Sequence, residues 1–228
     1  MKKLFVSLFT GIVAIATVQT TKADVIADWT FQTSASTNNI IGAGLTPGAT
    51  QSGVLADIGT GTASASHASS ATVWSIPAGN GSLNSWSANT WAIADYFQFS
   101  LSTASYSDIS VSFDMFRSGT GPTNWTFQFS TDGSTFSTFS SFSITNAPSI
   151  NSSTYNPSFT YSFDLSAIDT LENNSTVAFR LVAASAPSGT SGTARVDNFS
   201  VTTVPEPSTL ALAAFGGVAA LLAFRRRH

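Results

Sequence analysis

The sequence predicts an all-β protein, an antiparallel two-sheet sandwich of jelly-roll type, preceded by a signal peptide and followed by a hydrophobic helix. Apolar and polar residues alternate with a period of two along several central stretches, which indicates strands with one buried and one solvated face. The same region is rich in Ser, Thr, Gly, Asn and Phe, a composition that favours strands over helices. Turn signals between the stretches favour antiparallel pairing in two sheets.

The alternation places the strands at residues 24–31, 96–101, 109–115, 125–131, 134–144, 159–165, 176–183 and 194–202. Asp132-Gly133 lies between two of them and predicts a hairpin, because glycine accepts the positive φ of a tight turn. Leu165, Ile168 and Leu171 recur every third residue, so we expect a short helical turn within residues 166–172.

The pattern weakens between residues 33 and 90, where small and polar residues dominate. A compact domain rarely contains so long a loop, so we expect short strands whose positions the sequence does not give. Trp74, Trp86 and Trp91 would anchor these strands in the core. Disorder of a low-complexity segment is the alternative.

Residues 1–23 have the features of a secretory signal peptide. Lys2 and Lys3 supply positive charge, an apolar stretch covers residues 4–18, and Ala23 is a small residue suited to signal peptidase. An uncleaved membrane helix is the alternative, but the apolar stretch is shorter than the roughly 20 residues that a span requires. We therefore expect export, with cleavage after Ala23.

Residues 204–228 combine a proline motif, an apolar stretch and a basic stop, in that order. The motif consists of Val204, Pro205, Glu206 and Pro207. The uncharged residues 208–224 can cross most of a bilayer core as a helix. The basic stop, which would stay cytoplasmic, consists of Arg225, Arg226 and Arg227.

This arrangement resembles the PEP-CTERM sorting signal of Gram-negative bacteria. The resemblance implies recognition by an exosortase, cleavage near residues 205–207, a transient anchor in the inner membrane, and delivery to the cell surface or the extracellular polysaccharide matrix. A plain single-span anchor is the alternative. The expected organisation is a signal peptide over residues 1–23, a sandwich domain over 24–203 and a sorting tail over 204–228.

The charge of the central region differs from that of the whole chain. Between residues 24 and 204 the only basic residues are Arg117, Arg180 and Arg195, against eleven of the twelve acidic residues, which gives a net charge near −8. Such a surface repels phosphate backbones, so we expect no nucleic acid partner. Cysteine is absent, which excludes disulfides, cysteine nucleophiles and thiolate metal sites.

A second resemblance rests on residues 116–122, Trp125, residues 130–133, and the closing stretches 177–182 and 192–201. Together they are similar to a jelly-roll domain common in bacterial secreted proteins, where it is mostly without a defined activity. Modules of this resemblance often hold their first and last strands together with Ca²⁺, and Asp28 and Asp197 would supply the carboxylates here. The alternatives for Asp197 are an ion pair with Arg180 or Arg195, or a turn cap.

Catalytic chemistry has little support in the sequence. His67 lies in a Ser/Ala-rich stretch without a nucleophile motif, and we expect it to be exposed in a surface loop. Paired carboxylates could serve glycoside hydrolysis, but no spacing singles out a pair. Arg117 precedes a Gly-Thr-Gly-Pro turn; we expect it to donate to loop carbonyls, with an acidic ligand as the alternative.

The sequence-based hypothesis for function is a non-enzymatic surface or matrix protein that is processed by signal peptidase and an exosortase and associates with exopolysaccharide. A carbohydrate-binding module is the alternative, in which Trp86 and Trp91 would stack on sugar rings. Core packing is the competing interpretation of both tryptophans. A glycan-acting enzyme is the third hypothesis.

Overall fold

A computed structural model describes residues 23–33, 48–147 and 150–203 of the chain. These residues belong to one compact unit that contains its own core. A core of its own is what an independently folding domain requires, and the boundaries at residues 24 and 203 stay a prediction. Apart from Ala23, the predicted signal peptide lies outside the described residues, as does the predicted sorting tail, and no helix within the described ranges is long and apolar enough to cross a membrane.

In chain order the strands are β1 (Val25–Trp29), β2 (Thr50–Leu55), β3 (Ile58–Gly59), β4 (Gly61–Ser66), β5 (Trp74–Ser75), β6 (Trp86–Ala88), β7 (Tyr96–Leu101), β8 (Ile109–Arg117), β9 (Asn124–Ser130), β10 (Ser137–Ser143), β11 (Thr160–Asp164), β12 (Val177–Ala183) and β13 (Ala194–Thr203). Sheet I has the order β11-β8-β13-β1-β3, with β6 also paired to β13 and β5 paired to β6. Sheet II has the order β10-β9-β12-β7-β4-β2.

All strand pairs within the two sheets are antiparallel, and the chain changes sheet at most connections after β7. The predicted fold class, an antiparallel sandwich of jelly-roll type, is confirmed. The strands expected from the alternation are present with small shifts at their ends. The weakly patterned region contributes β2 to β6, and the expected helical turn is a 3₁₀ turn at Asp169–Leu171.

Aromatic residues fill the space between the sheets. Phe99 of sheet II stacks on Phe199 of sheet I with ring centroids 3.6 Å apart, and Trp29 meets the edges of both rings. The remaining tryptophans, Trp74, Trp86, Trp91 and Trp125, are also buried. Large rings bury much apolar area per residue, which is how a chain without disulfides stabilises two facing sheets.

Candidate functional site

The outer face of sheet II presents a row of polar side chains across five adjacent strands. Strand register aligns Ser64 with Gln98, Gln98 with Arg180, Arg180 with Gln128, and Gln128 with Thr138. These residues are half-buried or exposed, whereas the chain neighbours of Ser64, Gln98 and Arg180 on the same strands are buried in the core. We call this row, together with Tyr96 and Phe136, the sheet II face.

Arg180 lies at the centre of the sheet II face and is held between two aromatic rings. Its guanidinium carbon lies 3.9 Å from the ring centroid of Tyr96 and 3.6 Å from that of Phe136. Its Nε donates to Gln98 Oε1 at 2.8 Å. Partial burial lowers the pKa of Arg180, although an arginine remains charged at neutral pH.

Several polar atoms of this face are available to a ligand. The two terminal nitrogens of Arg180 have no hydrogen-bond partner among the described residues, because only its Nε is engaged. The side-chain nitrogen of Gln128 donates to Thr138 Oγ1 at 3.3 Å, and the side-chain oxygen of Gln128 has no partner among the described residues. A rigid guanidinium beside amide and hydroxyl groups can bind the hydroxyls of an extended glycan.

The outer face of sheet I is different, because the loop between β5 and β6 covers it. Asp197 of β13 is completely buried there, and its Oδ2 accepts from the backbone N–H of Asn80 at 2.9 Å and from Ser82 Oγ at 2.6 Å. Asn80 in turn exchanges two hydrogen bonds with the backbone of Asn156. Hydrogen bonds therefore hold two loops over this side of sheet I, and we call the outer face of sheet I the covered face.

A second buried carboxylate, Asp114 of β8, lies directly opposite Asp197. The β-bulge after Asp197 places Asn198 at a positive φ of 49°, a conformation that asparagine tolerates. The Asn198 amide donates to Asp114 Oδ2 at 2.9 Å and contacts Asp197 Oδ2 at 3.4 Å. Burial raises the pKa of Asp197 to about 6, with the charge of Asp114 adding to the effect.

The two carboxylates expected to bind calcium belong to separate networks. Asp28 of β1 has its pKa raised to about 6 by burial and by the nearby Asp57, and its Oδ1 has no partner among the described residues. Asp197 instead contacts Asp114 and is surrounded by N–H and O–H donors, which do not suit a cation. Within the described ranges, no three His, Cys, Asp or Glu residues are grouped as a metal site. Calcium binding by Asp28 and Asp197 therefore stays a prediction, and the groups around these two carboxylates do not support it.

Trp86 and Trp91 both lie in the core. Trp86 is 0% exposed and Trp91 4% exposed, and both rings contact Phe97. Stacking on a sugar requires an exposed ring face, which neither residue offers in this structure. Their positions match the core-packing interpretation of the sequence, and the aromatic residues that accompany the polar row are Tyr96 and Phe136.

The prediction that His67 is exposed was wrong. The residue is 5% exposed, packs 4.1 Å from Trp91 between ring centroids, and has Asp95 Oδ2 at 3.4 Å from its Nδ1. Burial lowers the pKa of His67 to about 4, so the ring is neutral at pH 7. The Ser/Ala-rich composition around it concealed strand β4, which ends at Ser66 and leads His67 into the core.

Arg117 has the expected structural role. Its Nε donates to the carbonyl oxygen of Ile144, and its Nη1 donates to the carbonyl oxygens of Ser118 and Gly119 at 3.0 and 2.9 Å. Arg117 and Arg195 both line a cleft of about 440 Å³ at the end of β8 and the start of β13. Among the described residues, Asp197 forms no ion pair with Arg180 or Arg195, so that alternative for Asp197 has no support in the structure.

Comparison with known proteins gives one assignment and several distant likenesses. The family described as the PEP-CTERM protein-sorting motif matches residues 203–227. The chain carries a PEP-CTERM sorting signal. The predicted sorting motif is thereby confirmed; it indicates an exported protein with a transient C-terminal membrane anchor and implies sorting by an exosortase. No curated protein matches the chain.

Among solved structures, the tandem CBM22-1-CBM22-2 domain of Paenibacillus barcinonensis Xyn10C is 11% identical, with a TM-score of 0.43. The matched region covers 85% of this chain and 48% of the tandem-domain chain. The K2 cleaved adhesin domain of Lys-gingipain is 14% identical, with a TM-score of 0.38; the matched region covers 58% of this chain and 83% of the adhesin chain. TmCBM61, solved with β-1,4-galactotriose, is 9% identical, with a TM-score of 0.36 and coverages of 62% and 87%. Likenesses this distant assign no function to the chain.

Sequence reasoning did not identify the sheet II face. The length of the polar side chains at the solvated strand positions could have indicated this face. Most of these positions hold Ser or Thr, whereas Gln98, Gln128 and Arg180 are long. The partnership of Phe136 with Arg180 could not be predicted, because Phe136 lies just before β10 and reaches Arg180 only through the hairpin at Asp132-Gly133.

Proposed function

We propose that this PEP-CTERM protein is a non-enzymatic component of the extracellular matrix or cell surface that binds polysaccharide through the sheet II face. The observation that carries the proposal is the row of polar side chains centred on the clamped Arg180. The aromatic clamp fixes the guanidinium before any ligand arrives, so little side-chain entropy is lost on binding. The row crosses five strands, which suits an extended chain rather than a small molecule.

Surface delivery fits this role. An exported domain with a net charge near −8 stays hydrated among polysaccharides and repels other acidic chains of its own kind. Affinity for polysaccharide would keep such a domain in the matrix after the sorting tail has been removed. We therefore infer a location on the outer surface or in the exopolysaccharide of a Gram-negative bacterium.

The binding experiment uses affinity electrophoresis of the domain of residues 24–203 in gels that contain neutral polysaccharides, namely xylan, β-glucan, galactan and dextran. The parent domain is expected to be retarded by at least one of them. Arg180→Gln is expected to lower that affinity about tenfold, since hydrogen bonds to a charged group are the strong ones. Arg195→Gln, an arginine of the other sheet, is the matched control and should bind as the parent does.

Two outcomes would count against the proposal. If no polysaccharide retards the folded parent domain, the plain structural matrix role replaces it. If a polysaccharide is bound but Arg180→Gln and Arg195→Gln bind equally well, binding occurs elsewhere on the molecule. Thermal melting of each variant separates a binding defect from unfolding.

Cleavage of the sorting tail is a separate part of the proposal. We propose a cut near residues 205–207, which the resemblance to other sorting signals supports, so the mature surface protein should lack the basic stop. Mass spectrometry of protein recovered from the cell surface tests this directly. Recovery of peptides that include residues 225–228 would show that the tail is retained as a membrane anchor.

A further inference from the structure

The cleft at the end of β8 and the start of β13 contains two of the three arginines of the central region. Register places Ala194 opposite Arg117 and Arg195 opposite Phe116, so the two arginines lie one position apart on adjacent strands and leave the end of the sheet on opposite faces. Both line the same cleft of about 440 Å³, together with Phe116, Ser118, Gly119 and Asn146. This volume is within the range of small-molecule sites.

Neither guanidinium has a counterion. No carboxylate oxygen of the described residues lies within 4.0 Å of a side-chain nitrogen of Arg117 or Arg195. Two positive charges that line one cleft without a counterion among the described residues attract an anion from solution.

The unused donors of the cleft suit a carboxylate. Arg195 donates from Nη1 to the carbonyl oxygen of Ala78 at 3.3 Å, and its Nε and Nη2 have no partner among the described residues. Those two nitrogens form the edge with which arginine binds a carboxylate in bidentate fashion. Arg117 has its Nε and Nη1 held by three loop carbonyls, which leaves Nη2 free in the described structure.

The other groups at the cleft suit a sugar ring. Ser118 and Asn146 carry a hydroxyl and an amide that can bind sugar hydroxyls. The Arg195 guanidinium carbon lies 5.7 Å from the centroid of the buried Phe116 ring, and this partial burial of the guanidinium lowers the pKa of Arg195. A partly desolvated arginine binds an anion more strongly than an exposed one.

We propose that this arginine cleft binds the carboxylate of a uronic acid residue in an acidic polysaccharide. The inference goes beyond the proposed function, because it uses residues of sheet I and assigns a second site for a negatively charged glycan. Arg195 forms the bidentate contact, and Arg117 supplies the second positive charge. The acidic sugar neutralises both arginines, and this local attraction has to exceed the repulsion between the polymer and a domain with a net charge near −8.

The experiment compares two forms of one polymer in calcium-free buffer. Polygalacturonate carries free carboxylates, and its fully methyl-esterified form does not; the measured quantity is the ratio of the two affinities of the domain of residues 24–203. The parent domain should prefer polygalacturonate about tenfold or more, and the preference should weaken with added salt. Arg195→Gln and Arg117→Gln should each bring the ratio towards one.

Arg180→Gln is the comparison variant, because it removes the same charge from the sheet II face. It can weaken binding of both polymers, but it should change the ratio much less than Arg195→Gln does, so failure of the proposed function is distinguished from failure of this inference. Arg195→Lys keeps the charge but loses the bidentate edge, and an intermediate ratio is expected. This variant keeps the test valid if Arg195→Gln does not fold.

Monomeric galacturonate and acetate complete the design. Binding of the monomer that depends on Arg195 supports the site as one for a single uronate, and binding of the polymer alone supports a site that needs neighbouring sugars. Three results would overturn the inference: a parent ratio near one, a ratio unchanged by both Arg117→Gln and Arg195→Gln, or acetate that competes as well as the monomer.

Discussion

The two outer faces of the sandwich present polar residues in opposite ways. The sheet II face displays Gln98, Gln128 and Arg180 to solvent across flat, paired strands. The covered face holds Asp114 and Asp197 completely or nearly completely buried beneath the loop between β5 and β6. The same period of two produces both rows, so the alternation of a strand does not show whether its polar side will meet water.

The loops make the difference between the faces. Asn80 and Ser82 bring a backbone N–H and a hydroxyl to Asp197, which compensates for part of the cost of burying a carboxylate. Among the described residues, no loop is hydrogen-bonded to Arg180, whose partners are two rings and one glutamine side chain. This contrast supports the proposal that the covered face stabilises the fold and the sheet II face binds a ligand.

The largest effect is expected from filling the space between the loop and the covered face. A Cβ at Gly79 would lie 2.1 Å from Asp197 Oδ2 and 2.6 Å from the carbonyl oxygen of Asn84, so the loop must move. Gly79→Ala should lower the free energy of unfolding by about 3 kcal/mol, at the upper end for overpacking. Thermal melting should show a loss of about 10 °C.

Gly119→Ala is the matched control for this substitution. A Cβ at Gly119 would meet no atom within 4 Å, so its melting temperature should stay within a few degrees of the parent value. Equal melting temperatures for Gly79→Ala and Gly119→Ala would show that the loop between β5 and β6 is not packed on Asp197 as described.

The next effect concerns the pH dependence of stability. The pKa of Asp197 is about 6 in the folded state, above its ordinary value of 3.8. The contribution of Asp197 to the free energy of unfolding is therefore full below about pH 4 and is lost as the pH rises through 6. Asp197→Asn removes this titration. The stability of the variant relative to the parent should therefore increase by about 2–3 kcal/mol from pH 4 to pH 7.

Comparing variant with parent at each pH is necessary because His67 acts in the opposite direction. The pKa of His67 is about 4 in the folded state, below its ordinary value of 6.5. The contribution of His67 to stability is therefore full above pH 6.5 and is lost as the pH falls from 6.5 to about 4. This effect is common to variant and parent and cancels in the difference. A difference in unfolding free energy that is constant with pH, measured by urea denaturation, would contradict the burial of an ionisable Asp197.

The smallest expected effect is spectroscopic. All five tryptophans of the chain are at most 4% exposed, so the native domain should show blue-shifted fluorescence and weak quenching by acrylamide. Saturation with a polysaccharide bound at the sheet II face should change neither property noticeably. Protection of tryptophan by the polysaccharide would instead revive the stacking hypothesis for Trp86 and Trp91.

The sequence was sufficient for the fold class and for the strands from β7 onwards, because alternation such as that of Phe97, Phe99 and Leu101 records burial directly. It was insufficient for β2 to β6, whose strands are short and contain small residues, as in Gly61–Ser66. There Ala63 and Ala65 face the core, but alanine and serine differ too little in polarity to form a clear pattern.

The candidate sites depended on contacts between distant parts of the chain. Arg117 could be interpreted locally, since two of its three acceptor carbonyls belong to the next two residues. Asp197 could not, because its partners Asn80 and Ser82 are more than 110 positions away in sequence. Arg180 likewise acquires Tyr96 and Phe136 only when β7, β9 and β12 are paired.

The central claim, that the sheet II face binds polysaccharide and the covered face does not, is tested most directly by NMR. The amide signals of the domain of residues 24–203 are recorded during titration with the polysaccharide that retards it most in affinity electrophoresis. The account predicts shifts concentrated in β7, β9 and β12 around Gln98, Gln128 and Arg180. Shifts concentrated in the loop between β5 and β6 around Asn80 and Ser82, or none with any polysaccharide, would contradict it.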